Sequence, residues 1–196
     1  MKTLDVSWLP SYKYGHHSLL WWGLMGLIAI EGTALALAAA AYLYVWSQAN
    51  VWPPNAPPEL FWGTVNVALL LVSIVPNHLA KRAAEDGDDA RLRLWLVVCL
   101  LMGLAMLAVR ALEFTALNAR WDTNAYGSAL WFLLGLHTVH LATDVYDTAV
   151  LTVLMFTGPL EGRRHVDAAE NAIFWYFVVY AWIPVYAITY WMPRLG

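Results

Sequence analysis

The segment IAIEGTALALAAAAYLYVW, residues 28–46, decides the fold because it is apolar along its whole length except near one acid. It is close to the roughly 20 apolar residues that an α-helix needs to cross a bilayer. Its acid is Glu31, and a carboxylate inside hydrocarbon is costly enough to indicate a functional site. A second segment, LMGLAMLAVRALEFTAL at 101–117, contains Glu113 in similar surroundings. These segments predict an integral membrane protein whose acids face neighbouring helices.

The composition leaves little of the chain outside the membrane. Of 196 residues, 61% are hydrophobic and 13% are charged, whereas soluble domains carry about 25% charged residues. The mean hydropathy is +0.54. We therefore predict an all-α bundle of five transmembrane helices that forms one membrane domain over residues 1–196. The predicted helices run over about 18–48, 61–80, 93–118, 126–157 and 170–192.

Basic residues are distributed unevenly between the two ends of the predicted helices. One side carries eight of them: Lys2, Lys13, Lys81, Arg82, Arg91, Arg93, Arg163 and Arg164. The other side carries Arg120 and Arg194. The positive-inside rule then places the N-terminal segment 1–17 in the cytoplasm and the C-terminus in the periplasm. That segment is too polar for a cleaved signal peptide, so we expect the first helix to be retained. The net charge of −3 argues against a nucleic-acid partner.

The surroundings of Glu31 allow two interpretations. Gly32, Ala36 and Ala40 recur every four residues, and small residues at this spacing let another helix approach closely. Glu31 would then lie beside a helix contact, as a neutral acid hydrogen-bonded to a neighbour. Alternatively, it exchanges protons with a nearby path. The sequence leaves both interpretations open.

Arg110 and Glu113 are three residues apart and therefore share one face of the third helix. The two charges can neutralise each other, which lowers the cost of burying either of them. We predict a structural ion pair.

The fourth helix carries a polar stripe of four residues, namely His137, His140, Asp144 and Asp147, on one face. His140 and Asp144 could pair directly. A metal site would need further ligands from other helices, and a bis-histidine haem would need its second histidine on a facing helix. We therefore expect this chain to bind neither metal nor haem and to contain no catalytic residues.

Five motifs in order resemble subunit III of the haem–copper respiratory oxidases. They are WWGLMGLIAIEGTALALAAAAYLY (21–44), WPP (52–54) followed by WGTVNVALLLVS (62–73), ALEF (111–114), YGSALWFLLGLHTVHL (126–141) and FWYFVVYAW (174–182). The residues that match the family by position are Glu31, Asn66, Glu113, Tyr126, Gly127, Ser128, His137, His140 and Trp175. The chain resembles the five-helix form of the family.

The chain departs from the family pattern at four positions. Tyr176 and Val179 stand where the family usually has histidine and aspartate, and Asp144 replaces a common glycine. Glu170 lies one residue out of register with the acid that opens the last helix. These changes put proton handling by the last helix in doubt.

The resemblance implies a non-catalytic subunit of a terminal oxidase in a bacterial inner membrane. Such a subunit packs on catalytic subunit I, together with subunit II, and the haems and copper lie in the catalytic partner. It supports proton uptake, stabilises the complex during turnover and holds phospholipid. The sequence leaves the electron donor open between cytochrome c and quinol. Alternatives are an accessory subunit of a nitric oxide reductase or an autonomous proton-coupled transporter.

Overall fold

The computed structural model describes residues 14–15, 18–54, 56–158 and 162–195, and this part of the chain is helical without strands. Within these residues, five helices are long and apolar enough to cross a membrane, which confirms the predicted all-α membrane bundle. They are α1 (Leu19–Gln48), α2 (Leu60–Asp86), α3 (Asp89–Thr115), α4 (Ala125–Thr157) and α5 (Gly162–Tyr186). A π-helical turn, Ala187–Trp191, and a short helix α6, Met192–Leu195, continue α5.

The helix ends follow polar capping groups rather than the limits of the apolar segments. The Asp88 side chain accepts a hydrogen bond from the Arg91 amide, so α3 begins at Asp89 instead of 93. Gly87 adopts a left-handed conformation and ends α2 six residues beyond the predicted 80. Residues 162–169 include two arginines, a histidine and an aspartate but are helical, so α5 begins eight residues before the predicted 170. The α3 helix ends at Thr115, before the predicted 118, where Asn118 has a φ of 54°.

Four of the helices form a closed bundle, and α1 lies outside it. Helix α2 packs against α3 and α5, and α4 packs against the same two helices. Helix α1 contacts α4 and α5, and its buried side chains are only Leu35, Ala38 and Tyr42. Polar side chains of α1 can therefore meet α4 from outside the bundle, whereas those of α2 to α5 can meet each other inside it.

The last helix contains a proline and still reaches the far end of the bundle. Pro184 lies inside α5, and the π-helical turn begins three residues later. Extra residues in one turn rotate the following side chains relative to an α-helix. Tyr190 lies in this turn and is completely buried. The π-helical turn thus places a polar side chain, that of Tyr190, inside the bundle.

Candidate functional site

The first polar site is a buried group around Glu113, here called the Glu113 cluster: Asn66, Arg110, Glu113, His137, Trp182 and Tyr190. Arg110 Nη1 lies 3.0 Å from Glu113 Oε2, and both side chains are 1% exposed. The predicted ion pair is therefore present. Asn66 Nδ2 donates to the same Glu113 oxygen at 3.0 Å, and Tyr190 Oη donates to Oε1. Glu113 thus receives a charge partner and two hydrogen bonds without contact with solvent.

Arg110 also contacts the two helices on its other side. Its Nη2 lies 3.1 Å from His137 Nδ1, and its guanidinium carbon lies 4.0 Å from the centre of a Trp182 ring. A guanidinium only donates, so Nδ1 must accept, and the ring proton lies on Nε2. That nitrogen is 3.0 Å from the Val178 carbonyl, which accepts its hydrogen bond. His137 is therefore a neutral side chain that orients Arg110.

The Glu113 cluster joins all four helices of the closed bundle. Its members come from α2 (Asn66), α3 (Arg110 and Glu113), α4 (His137) and the α5 segment with its π-helical turn. Buried charges are tolerated when they are paired and hydrogen-bonded, and breaking such a pair is strongly destabilising. The arrangement is a structural tie inside the bundle rather than a site open to a ligand.

The second polar site joins α1 to α4 through Glu31 and His140. His140 Nε2 and Glu31 Oε2 share a hydrogen bond of 2.5 Å. The His140 side chain is 5% exposed, but that of Glu31 is 30% exposed. Thr143 Oγ1 donates to the His140 carbonyl at 2.9 Å. Glu31 therefore differs from Glu113, because one of its faces is open to its surroundings.

The predicted stripe on α4 is divided between these two sites. His137 joins the Glu113 cluster and His140 joins Glu31, while Asp147 is exposed. The direct pairing of His140 with Asp144 is wrong, because His140 Nε2 points across to α1. Asp144 is completely buried, and neither of its carboxylate oxygens has a hydrogen-bond partner among the described residues. His140 Nδ1 is likewise buried and unpartnered there.

Two cavities of different chemistry lie along α1. The first, here called the acid-lined crevice, lies between the first half of α1, the second half of α4 and the start of α5, and measures about 530 Å³. Its polar lining consists of Glu31, His140, Thr143, Asp147, Asp167, Glu170 and Asn171. The second, here called the apolar cavity, lies between α1 and α5 and measures about 440 Å³. Its lining includes Gly32, Ala36 and Ala40 and contains no titratable side chain.

Two members of the Glu113 cluster, Tyr190 and Trp182, were missed by the sequence analysis. Both resemble ordinary aromatic residues of a membrane helix, and only the π-helical turn and the bundle geometry bring them to the ion pair. In the sequence, Asn66 was noted only as a position that matches the family that the chain resembles. A signal for a polar role existed at Asn66, because an amide at bilayer depth needs a partner.

These features define a class of protein: a multi-pass helical membrane bundle whose intramembrane charges are mostly paired with each other. Within the described ranges, no group of three histidine, cysteine, aspartate or glutamate side chains is arranged to hold a metal ion. Residues 36–194 match the family model described as cytochrome c oxidase subunit III. The chain belongs to the cytochrome c oxidase subunit III family.

Similarity to individual relatives extends along most of the chain. It is 28% identical over 195 residues to cytochrome c oxidase subunit 3 of Synechocystis, covering 95% of this chain and 83% of the relative. It is 28% identical to a probable cytochrome c oxidase subunit 3 of Mycobacterium leprae, covering 84% and 78%. It is 29% identical to the cytochrome bo(3) ubiquinol oxidase subunit 3 of Pseudomonas aeruginosa, covering 70% and 67%. The chain is thus a subunit III of the haem–copper oxidases, a multi-pass bacterial membrane protein and part of an oxidase complex.

Proposed function

We propose that this chain packs on catalytic subunit I, in a complex that also contains subunit II, and stabilises that complex in the bacterial inner membrane. The observation that carries the proposal is the family match over residues 36–194. The Glu113 cluster supports it, since a bundle tied internally at α2 to α5 provides a preformed surface for a partner. Rigid elements lower the ordering cost of association.

The haem and copper of the complex belong, in this proposal, to the catalytic partner and not to this chain. In support, both ring nitrogens of His137 are already engaged inside the bundle. His140 uses Nε2 for Glu31. The two histidines lie on one helix, whereas opposite axial haem ligands must come from opposite sides of the iron.

We further propose that the N-terminus lies in the cytoplasm and the C-terminus in the periplasm. The uneven distribution of lysine and arginine supports this orientation. Most of the predicted cytoplasmic segment 1–17 lies outside the described residues, but α1 begins on the same side as the α2–α3 turn at Gly87. Four of the basic residues, at positions 81, 82, 91 and 93, flank that turn.

Support of proton uptake is assigned to Glu31, and lipid binding to the apolar cavity. Glu31 is partly exposed and hydrogen-bonded to a titratable partner, which are the properties that proton exchange requires. The apolar cavity is lined by small and branched apolar side chains. An acyl chain fits this chemistry, because burying apolar surface there costs no polar desolvation.

The test is purification of an affinity-tagged chain from its native membrane in a mild detergent. We expect subunits I and II to co-purify, with a haem spectrum and oxygen consumption in the same fractions. Reduced cytochrome c and a quinol should be tested as separate donors, because the relatives include oxidases named for each. Recovery of the chain alone would refute the proposal. If the co-purified complex reduces nitric oxide and consumes no oxygen, the result would favour the alternative, an accessory subunit of a nitric oxide reductase.

A further inference from the structure

The acid-lined crevice is more polar than a cavity between membrane-spanning helices is expected to be. Four carboxylates line it, those of Glu31, Asp147, Asp167 and Glu170, and no lysine or arginine is among its described lining residues. Carboxylates within membrane spans face protein partners or water-filled cavities, because hydrocarbon cannot solvate them. Among the described residues, only Glu31 of these four acids forms a hydrogen-bonded ion pair, with His140. Glu170 also has a side-chain hydrogen bond with Ser18, and Asp167 interacts with the charge of Arg163. The unpartnered oxygen of Glu170 and the exposed Asp147 therefore require another solvating group.

Two buried atoms beside the crevice lack hydrogen-bond partners, which indicates that polar molecules occupy the crevice. Glu170 is 9% exposed, and its Oε1 has no partner among the described residues. His140 is 4% exposed, and its Nδ1 is likewise unpartnered. An unpartnered buried polar group costs about 1–3 kcal/mol, and ordered water commonly removes that cost. The crevice is large enough for on the order of ten water molecules.

The crevice extends from one membrane surface towards the Glu31–His140 pair. Asp167 lies in the second turn of α5, whereas Glu31 lies twelve residues into α1, about 18 Å along the helix axis. Asp147 and Glu170 lie between these two levels. Both α1 and α5 begin on the same side, so the polar lining starts at that surface and ends at the pair.

We propose that the acid-lined crevice is filled with water and connects the Glu31–His140 pair to the aqueous phase on the side where α1 begins. Its carboxylates attract cations, including hydronium, so that the pair exchanges protons with that phase. By the same reasoning the apolar cavity contains no water, because no titratable side chain lines it. The proton-exchange role of the pair rests on the function proposed above for Glu31, whereas the water content of the crevice holds whichever partner the complex contains.

Thiol accessibility in native membrane vesicles tests the proposal. Cys99, the only cysteine, is first replaced by alanine, and single cysteines are then introduced. Val150→Cys lies in the crevice, and its control Val153→Cys is on the same helix at a 58% exposed position outside it. Thr143→Cys probes the crevice beside His140, and Ala142→Cys is its neighbouring exposed control. Water-soluble, membrane-impermeant methanethiosulfonates react only with thiolates that water reaches.

We expect both crevice cysteines to react at least about tenfold faster than their controls, and only from the side where α1 begins. Equal rates in crevice and control positions, or no reaction at either crevice position, would overturn the proposal and indicate that acyl chains fill the space. Reaction from the unexpected face of the vesicle would refute the orientation proposed above but support the crevice. Labelling after denaturation shows that each variant is present.

The role of the acids is tested separately with reagents of opposite charge. At Val150→Cys, the ratio of cationic to anionic reagent rates should fall about tenfold when Asp147→Asn and Glu170→Gln are combined, because a cleft of one charge sign concentrates counter-ions. An unchanged ratio would refute the attraction of cations. A matched substitution outside the crevice, Asp122→Asn in the exposed loop, should leave the ratio unchanged.

Discussion

Replacement of Glu113 by alanine should destabilise the bundle strongly because it leaves Arg110 charged and buried. Arg110 is 1% exposed, and Glu113 is its only acidic partner in the described chain. Removing one partner of a buried ion pair costs about 3–5 kcal/mol. Asn66 and Tyr190 would also lose the oxygens to which they donate. At 1.4 kcal/mol per factor of ten, the folding equilibrium falls by roughly two to four powers of ten.

A double substitution separates the charge effect from the loss of packing. Arg110→Met combined with Glu113→Leu removes both charges and keeps much of the side-chain volume. Replacing a buried pair by apolar residues is often neutral, but Asn66, His137 and Tyr190 would each lose a hydrogen bond worth about 1 kcal/mol. The double variant should therefore be more stable than Glu113→Ala, although less stable than the unmodified chain.

The assay is an SDS titration of the chain in mixed micelles, followed by tryptophan fluorescence. Trp182, one of the 12 tryptophans, contacts Arg110, so its surroundings change when the cluster is disrupted. The control is Asp122→Asn, which breaks the solvent-exposed pair with Arg120 and should leave the midpoint unchanged. A Glu113→Ala midpoint equal to that of the unmodified chain would refute the reasoning. So would a double variant no more stable than the single one.

Three further substitutions test other contacts. Glu31→Gln keeps the size and hydrogen-bonding capacity at His140, so the amount of assembled complex should be unchanged while its proton-uptake kinetics slow; a loss of assembly would contradict this. Tyr190→Phe removes one hydrogen bond from the ion pair and should cost about 1–2 kcal/mol in the same SDS titration. Gly63→Ala places a Cβ 2.6 Å from the Tyr190 ring and should cost about 1–3 kcal/mol, whereas Gly135→Ala, with open space around it, should cost nothing.

The five helices could be predicted because a bilayer requires each spanning segment to satisfy its own backbone groups. Hydropathy detects the apolar core of each helix but not its polar ends. The start of α5 shows this limit, since residues 163–167 include two arginines, a histidine and an aspartate but are helical. His165 lies 2.8 Å from Asp89 there, a tertiary contact that hydropathy does not contain.

The pairing of the acids was predictable only where it is local. Arg110 and Glu113 are one helical turn apart, so spacing alone places them together. The contact of Glu31 with His140 joins residues that are 109 positions apart. The sequence offered Asp144, one turn from His140, as an equally reasonable partner. The choice depends on where α1 docks against α4, and small residues on α1 indicate a close contact without identifying its partner helix.

The two intramembrane glutamates have the same side chain but surroundings that favour opposite roles. Glu113 has an arginine, an amide and a phenol around it at 1% exposure, so changing its charge would break three interactions at once. Glu31 has one partner and is 30% exposed, so its charge can change while one contact adjusts. A proton-exchanging group needs access to a proton source as well as a suitable partner. The acid-lined crevice reaches Glu31 and not Glu113. These differences are the reason why we propose proton exchange for Glu31 and structural support for Glu113.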